Sequence, residues 1–213
     1  MIYVMQIFTL KSRSPGVVEK LFAQAIAQGP GFPRLRAFWK TDVGILNRII
    51  LVWEYQNADE RERVLAEANE GTGGLPDFRE HVVEEESRVW TPAPFSPPLT
   101  PRQIGNCYEI RIYDYPVGRI PEVIDNWNEI LAERLKYSPL VAAWYSDVGT
   151  IHHWVHIWAY SDAGERERIR AATAKAGIWP ISIVEQRLNR VPKFVALKMQ
   201  NMLVVPASFS PLR

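Results

Sequence analysis

The stretch AFWKTDVGILNRIILVWEYQNADERER, Ala37–Arg63, occurs again 105 residues later as AAWYSDVGTIHHWVHIWAYSDAGERER, Ala142–Arg168. The two copies are identical at 12 of 27 positions without a gap. A fixed period of this length marks a duplicated structural unit and sets the domain count before any other pattern is read. The chain of 213 residues therefore contains two units of roughly 100 residues, each near the usual domain size.

Each copy of the repeated stretch is predicted to contain a β-hairpin followed by a charged helix. The second strand is expected to end at Lys40 or Tyr145, and Asp-Val-Gly in both copies supplies the turn to the third strand. An Asn or Asp followed three residues later by Glu is a helix start signal in both copies. The Glu-Arg-Glu-Arg tetrapeptide that follows is interpreted as a solvated helix surface.

The segments on either side of the hairpin complete the unit. Apolar and aromatic runs predict a first strand at 2–10 and 107–115, and a last strand near 82–90 and 199–205. Apolar residues at three-to-four spacing predict an amphipathic helix after the first strand of each copy. The order β-α-β-β-α-β is that of a ferredoxin-like unit, so the predicted fold class is α+β.

A proline-rich segment, Thr91–Pro101, separates the copies and is interpreted as the linker, because prolines cannot donate backbone hydrogen bonds. The predicted domains are residues 1–98 for the first repeat, 99–105 for the end of the linker and 106–213 for the second repeat. Pro92-Ala-Pro-Phe-Ser-Pro97 is echoed by Pro206-Ala-Ser-Phe-Ser-Pro211 at the end of the chain. We therefore expect Phe95 and Phe209 to be packed.

Composition excludes several classes of function. The 25 basic and 24 acidic residues nearly cancel, so no broad positive field favours nucleic acid. No stretch approaches the roughly 20 apolar residues of a membrane helix, and the apolar start of the chain lacks the flanks of a signal peptide. The single cysteine, Cys107, excludes an internal disulfide and an all-cysteine metal site. A cytoplasmic protein without membrane insertion is expected.

Two motifs of the second copy resemble the NIPSNAP family of the dimeric α/β-barrel superfamily. These are Tyr108-Glu-Ile-Arg-Ile-Tyr113 and the run from Trp144 to Val155-His-Ile-Trp-Ala-Tyr160, and the closing Phe-Ser-Pro also fits. The resemblance covers nearly the whole chain, twice. It implies two ferredoxin-like units packed sheet to sheet as a pseudo-dimeric α/β barrel. We further expect the chain to associate into a homodimer.

The first copy departs from this pattern at three positions. Val4, Gln6 and Leu51 stand where the second copy has Glu109, Arg111 and His156. Either the second copy is a working half beside a scaffolding half, or the first copy has drifted; the residues leave both interpretations open.

The candidate site lies in the second copy, where strand alternation gives one face an unusual set of polar and aromatic residues. The first and third strands of a ferredoxin-like sheet are neighbours, so three residues are expected to meet as candidate catalytic groups: His156, Arg111 and Glu109. Five further residues are candidates for ligand binding: Tyr113, His152, Trp154, Trp158 and Trp144.

These residue types allow specific chemistry. A histidine beside a carboxylate can act as a general base, and an arginine can hold a carboxylate or an enolate oxygen. An ordinary Glu109–Arg111 ion pair, a histidine bound within the core and tryptophans that only fill the core are the structural alternatives. No metal site is expected, since His152 and His156 are four residues apart and would lie about 13 Å apart on a regular strand, too far to bind one ion. No cofactor is expected, and a haem on His156 is only a superfamily analogy.

Three functions stay open at this stage. The first is a protein of unestablished activity that binds a small organic molecule in the second repeat. The second is a cofactor-free enzyme of the monooxygenase or isomerase kind that uses His156 with Arg111 and Glu109. The third is a structural or interaction module.

Overall fold

The computed structural model describes residues 1–29, 31–69, 75–189, 191 and 194–213. The first repeat contains β1 (Ile2–Leu10), α1 (Pro15–Gln28), β2 (Leu35–Val43), β3 (Arg48–Tyr55), α2 (Ala58–Asn69) and β4 (Val82–Pro92). The second contains β5 (Cys107–Asp114), α3 (Ile120–Leu135), β6 (Leu140–Tyr145), β7 (His153–Tyr160), α4 (Ala163–Lys175), α5 (Ile181–Arg187) and β8 (Lys198–Pro206). The predicted β-α-β-β-α-β order is confirmed in both repeats, with α5 as an unpredicted addition before the last strand.

The fold class is α+β, as predicted. The hydrogen-bonded strand order is β4-β1-β3-β2 in the first repeat and β8-β5-β7-β6 in the second. Within each repeat the order is that of a ferredoxin-like sheet, with the last strand beside the first and the third beside the second. The β1–β3 and β5–β7 strand pairs are antiparallel, and neither contains a bulge.

The chain folds as two compact units that exchange their closing segments. The first unit comprises Met1–Thr91, Thr100–Gln103 and Val204–Arg213, and the second comprises Pro92–Leu99 and Ile104–Leu203. Phe209 packs against Phe38 in the first unit at a ring-centroid distance of 4.9 Å. Phe95 stacks on Trp127 in the second unit at 6.2 Å. Both phenylalanines are therefore packed, as expected, and each lies in the unit built mainly from the other repeat.

Local capping explains where the charged helices begin. The side chain of Asn57 accepts a hydrogen bond from the backbone N–H of Glu60 at 2.9 Å, and Asp162 accepts one from that of Glu165 at 2.7 Å. Each glutamate then accepts a backbone N–H from the residue preceding the capping residue. Both start signals are confirmed, because the first-turn N–H groups need partners outside the helix.

Three local expectations differ from the structure. β2 continues to Val43 rather than ending at Lys40. The spacing of Val17, Leu21 and Ala25 predicted the apolar face of α1, but its buried residues are Val18 and Phe22, and Val17 is exposed. His152 precedes β7 with a φ of 65° and so does not share the alternation of that strand. Among the described residues, no helix is long and apolar enough to cross a membrane.

Candidate functional site

The register of the second unit brings the three candidate catalytic residues to one face of its sheet. In the β5–β7 pair, Arg111 lies directly opposite His156, and Glu109 lies opposite Trp158. Residues opposite one another in an antiparallel pair share a face. The indole ring of Trp127, on α3, lies 4.8 Å from the His156 ring, so this face is the one covered by α3. The predicted meeting of these residues is therefore found.

Glu109 is a completely buried carboxylate held by several cationic side chains. Its Oε1 accepts hydrogen bonds from Arg111 at 2.8 Å and from Arg166 at 2.7 Å. Arg170 lies farther away, with its guanidinium 3.8 Å from the same oxygen. The hydroxyl of Tyr160 donates to Oε2 at 3.4 Å. Glu109 is thus the counter-charge of a cluster of arginines rather than one half of a simple ion pair.

The arginines determine the charge of Glu109. Burial alone would raise its pKa, but the hydrogen bonds from Arg166 and Arg111 offset this effect and the pKa is lowered. The carboxylate is therefore ionised near neutral pH. An ionised Glu109 bonded to two guanidinium groups has no proton to donate as a general acid.

Helix α4 supplies arginines to this cluster, which corrects one sequence interpretation. Arg166 belongs to the Glu-Arg-Glu-Arg segment that the sequence assigned to a solvated surface, yet it donates to the buried Glu109. Arg170 lies one turn later on the same helix face, and Thr173 on that face is fully buried. The inward face of α4 is therefore polar beside Glu109, while Ile169 of the same helix packs against the apolar cluster.

His156 is a buried, neutral hydrogen-bond donor in this arrangement. Burial lowers its pKa well below the usual value, and the positive charges of Arg111, Arg134 and Arg170 lower it further. Its Nδ1 accepts a hydrogen bond from the indole N–H of Trp158 at 2.8 Å. The remaining proton therefore sits on Nε2, which is buried and bonds to no described residue. Because the Nδ1 lone pair is engaged, the geometry favours donation by His156 over proton abstraction.

A further buried arginine supports the tryptophan that holds His156. Arg134, on α3, is 1% exposed and lies 4.0 Å from the centre of the Trp158 ring. It donates to Ser138 at 2.8 Å and to the Tyr160 hydroxyl at 3.2 Å. The stacking of a desolvated guanidinium on an indole is worth roughly 2 kcal/mol. The positions of Trp158 and Tyr160 beside Glu109 and His156 are thereby fixed.

A pocket of about 350 Å³ opens beside this network, entirely within the second unit. Its charged lining residues include Arg111, Arg170 and Glu185. Its aromatic wall is formed by Tyr113, Tyr115, Trp127, Trp179 and Phe194. The volume lies at the lower end of the range of about 300–1,000 Å³ typical of small-molecule sites. The pocket can accept a small, flat molecule with one polar end directed at the arginines.

The predicted ligand-binding residues occupy four different situations. Tyr113 lines the pocket and accepts a hydrogen bond from Arg111 at 2.6 Å. Trp154 and Trp158 share the face of His156 but are fully buried behind Trp127. Trp144 lies opposite Val155 in the β6–β7 pair, on the other face of the sheet. These three tryptophans do not line the pocket.

His152 lies away from the candidate site. Its Nδ1 accepts a hydrogen bond from the backbone N–H of Gly118 at 3.5 Å, and it lines a different, shallower surface depression beside Tyr145 and Asp147. Its placement at positive φ ahead of β7 removes it from the face that strand alternation predicted. No group of three or more histidine, cysteine or acidic residues within the described ranges could hold a metal ion.

Five functional candidates were not predicted: Arg134, Arg166, Arg170, Trp127 and Trp179. Trp127 was predicted only as part of the amphipathic helix after the first strand of the second copy, and Trp179 lies in the unpredicted segment before α5. A signal for Arg166 and Arg170 was present, because α4 has Ile169 as its one large apolar residue although it must cover a sheet. Its inward positions 166 and 170 are both arginine, whereas the first repeat has Arg61 and Leu65 there.

The equivalent positions of the first unit are filled differently. Gln6, which corresponds to Arg111, accepts a hydrogen bond from the Trp53 indole at 2.7 Å and donates to Glu85. Val4 and Leu51, in place of Glu109 and His156, belong to an apolar cluster around Phe22. The charged network is therefore absent at these positions of the first unit.

A model of the protein family described as NIPSNAP matches residues 3–97 and 108–211, which is most of the chain in two segments. The NipSnap homolog of Dictyostelium discoideum is 26% identical over 71% of this chain and 68% of its own length. NipSnap homolog 1 of Danio rerio is 23% identical over 82% of this chain and 62% of its own length. The chain thus spans about two thirds of the length of these relatives.

Two solved structures resemble the whole chain in fold. One is described provisionally as a monooxygenase, from Lactobacillus acidophilus, with 8% identity, a TM-score of 0.63 and coverage of 97% of this chain and 94% of that one. The other is described as an anthrone oxidase-like protein, with 11% identity, a TM-score of 0.62 and coverage of 98% and 94%. At these identities the likeness concerns the fold alone.

Proposed function

Because this chain belongs to the NIPSNAP family, whose activity is not established, we propose from its own site that it binds a small organic molecule in the second unit. The pocket beside Arg111 and Arg170 carries this proposal. It combines an aromatic wall with a few convergent polar groups, which is the usual composition of a small-molecule site. The unsatisfied Nε2 of His156, directly behind the aromatic wall, supports the same location.

The first test is a native mass spectrum of the freshly purified protein. Extra mass on the folded species that disappears on denaturation would identify a retained ligand. Ser182→Trp provides the matched variant, because Ser182 lines the pocket at an exposed position of α5 and takes no part in the arginine network. We expect the variant to fold normally and to lose the extra mass.

A thermal-shift screen with small organic compounds extends this test to weakly held ligands, since a ligand that binds only the folded state raises the melting temperature. Arg111→Ala should abolish the shift, and Gln6→Ala, at the equivalent position of the first repeat, should leave it unchanged. Bare protein in the mass spectrum together with no shift from any compound would reject the proposal.

A second candidate is a cofactor-free enzyme of the monooxygenase or isomerase kind. The neutral His156 supports it, because an Nε2–H donor can stabilise an oxygen on which negative charge develops. His156 lies behind Tyr113 and Trp127 rather than in the pocket lining, so this function requires those rings to move aside. His156→Gln separates the two functions. An enzyme would lose turnover of its ligand while largely retaining affinity, whereas a binding protein would show no turnover to lose.

We further propose that the protein acts in the cytoplasm as a homodimer. The single cysteine suits a reducing compartment. Apolar side chains at the tip of the β2–β3 hairpin are exposed, with Val43 at 54%, Ile45 at 58% and Leu46 at 61%, and such patches often mark contact surfaces. Light scattering should give twice the mass of the chain, and Leu46→Glu should reduce it to that of one chain. If neither ligand nor turnover is found, this patch supports an interaction module instead.

A further inference from the structure

The arginines of the second unit outnumber the carboxylates that face them. Arg111, Arg166 and Arg170 form ion pairs with Glu109, and the charge of Arg134 also acts on it. Glu185 is the carboxylate among the described residues that line the pocket. Arg134 is fully buried, and the side chains of Arg111 and Arg166 are 15% and 19% exposed. The site therefore carries two positive charges in excess in a region with restricted access to water, where uncompensated charge is costly.

The guanidinium N–H groups of Arg170 are available to bind a ligand. Arg111 and Arg166 both donate to Glu109, and Arg134 donates to Ser138 and Tyr160. The Arg170 guanidinium lies 3.8 Å from Glu109 Oε1, beyond hydrogen-bonding distance, and donates to no described residue. Its side chain is 32% exposed and lines the pocket. A guanidinium fork facing a cavity fits a carboxylate in a bidentate manner.

The aromatic residues that line the pocket determine which ring system the ligand can have. Trp127 and Trp179 meet edge to face at 4.8 Å, and Tyr115 and Phe194 do so at 5.6 Å. These rings line a space of about 350 Å³, so the ligand is small. Aromatic walls favour a flat ring system through stacking and edge contacts.

We propose that the pocket binds a planar aromatic carboxylate, with its carboxylate held by Arg170 together with Arg111 and its rings between the aromatic walls. This inference rests on the proposed function and narrows it to one class of ligand. Leu65 stands in the first repeat where Arg170 stands in the second, and Gln6 where Arg111 stands. One ligand is therefore bound per chain.

The experiment compares 2-naphthoate with its neutral isostere 2-naphthamide by isothermal titration calorimetry at pH 7 and low salt. We expect the carboxylate to bind with 1:1 stoichiometry and at least about tenfold more tightly than the amide, because charge-assisted hydrogen bonds are about twice as strong as neutral ones. Arg170→Leu, the residue of the first repeat, should remove this preference and leave the affinity for the amide unchanged.

Two variants keep the result interpretable. Arg168→Leu removes the same charge from an exposed position of the same helix and should retain the preference. Arg170→Gln keeps much of the side-chain length and should behave like Arg170→Leu, with folding of both checked by circular dichroism. Equal binding of acid and amide would overturn the inference while leaving the proposed function standing. If neither compound binds, the inference is also overturned. The proposed function would then depend on whether the native mass spectrum shows a retained ligand.

Discussion

Replacement of Glu109 by glutamine tests whether one buried carboxylate holds the arginines of the second unit together. Glutamine keeps the shape of the side chain but removes the negative charge that Arg111 and Arg166 contact at 2.8 and 2.7 Å. Removing one partner of a buried, hydrogen-bonded ion pair costs about 3–5 kcal/mol, because the other charge remains buried without compensation. We expect Glu109→Gln to lower the free energy of unfolding by about that amount at pH 7.

The pH dependence of this loss follows from the lowered pKa of Glu109. The carboxylate of Glu109 binds a proton less readily in the folded protein than in the unfolded chain, where its reference pKa is 4.5. The stabilisation is therefore complete above about pH 4.5 and is lost as the pH falls through the folded pKa. The difference in stability between the natural protein and Glu109→Gln should be constant from pH 7 to about 5 and should shrink below that range.

Urea unfolding followed by circular dichroism and tryptophan fluorescence measures both effects. Glu133→Gln is the control, because Glu133 forms an exposed ion pair with Lys136 and should change stability by less than about 0.5 kcal/mol. In the double variant Glu109→Gln/Arg166→Gln, the second change should cost less than it does alone. A loss below about 1 kcal/mol for Glu109→Gln, or one that does not change between pH 7 and pH 3, would refute the electrostatic account.

Three further predictions concern single positions. The ring of His156, whose pKa is lowered by burial and by neighbouring arginines, should stay neutral in nitrogen-15 NMR spectra from pH 8 down through pH 6, with the proton on Nε2; a titration near pH 6.5 would contradict this. Gly105→Ala should strongly reduce thermal stability, since its Cβ would overlap the backbone of Tyr160, and a melting temperature near that of the natural protein would exclude such a clash. Gly16→Ala should raise the stability measured in urea by about 0.4–1 kcal/mol, because the added Cβ has no neighbour within 4 Å; a decrease would show that the first turn of α1 does not tolerate alanine.

Much of the fold could be predicted because the sequence pattern of each element occurs in both copies of the repeat. The turn at Gly44 and Gly149 and the caps at Asn57 and Asp162 depend on interactions within a few residues, so local sequence is enough to locate them. The pairing of Arg111 with His156 also followed from sequence, since neighbouring strands and side-chain alternation determine it. His152 was misplaced because a residue at positive φ interrupts that alternation.

The rest of the site depends on contacts between distant segments. Arg166 turns inward only because Glu109 lies 57 residues earlier on the strand beneath it, and charge patterns along one helix do not show this. The pocket wall at Trp179 depends on α5, which the βαββαβ pattern does not include. The amphipathic patterns of α3 and α1 predicted helices but not which neighbour would cover them.

Because the closing segments are exchanged, each half of this chain needs a segment of the other half to complete its compact unit. Cleavage between Leu99 and Thr100 would yield two fragments, and neither would contain a whole unit: one would lack Val204–Arg213 and the other Pro92–Leu99. A first repeat without the arginine network still provides Phe95 to the packing around Trp127, and so cannot be discarded without exposing the wall of the pocket. Dependence of this kind keeps both copies of the duplicated unit in the chain, although only the second carries the arginine network.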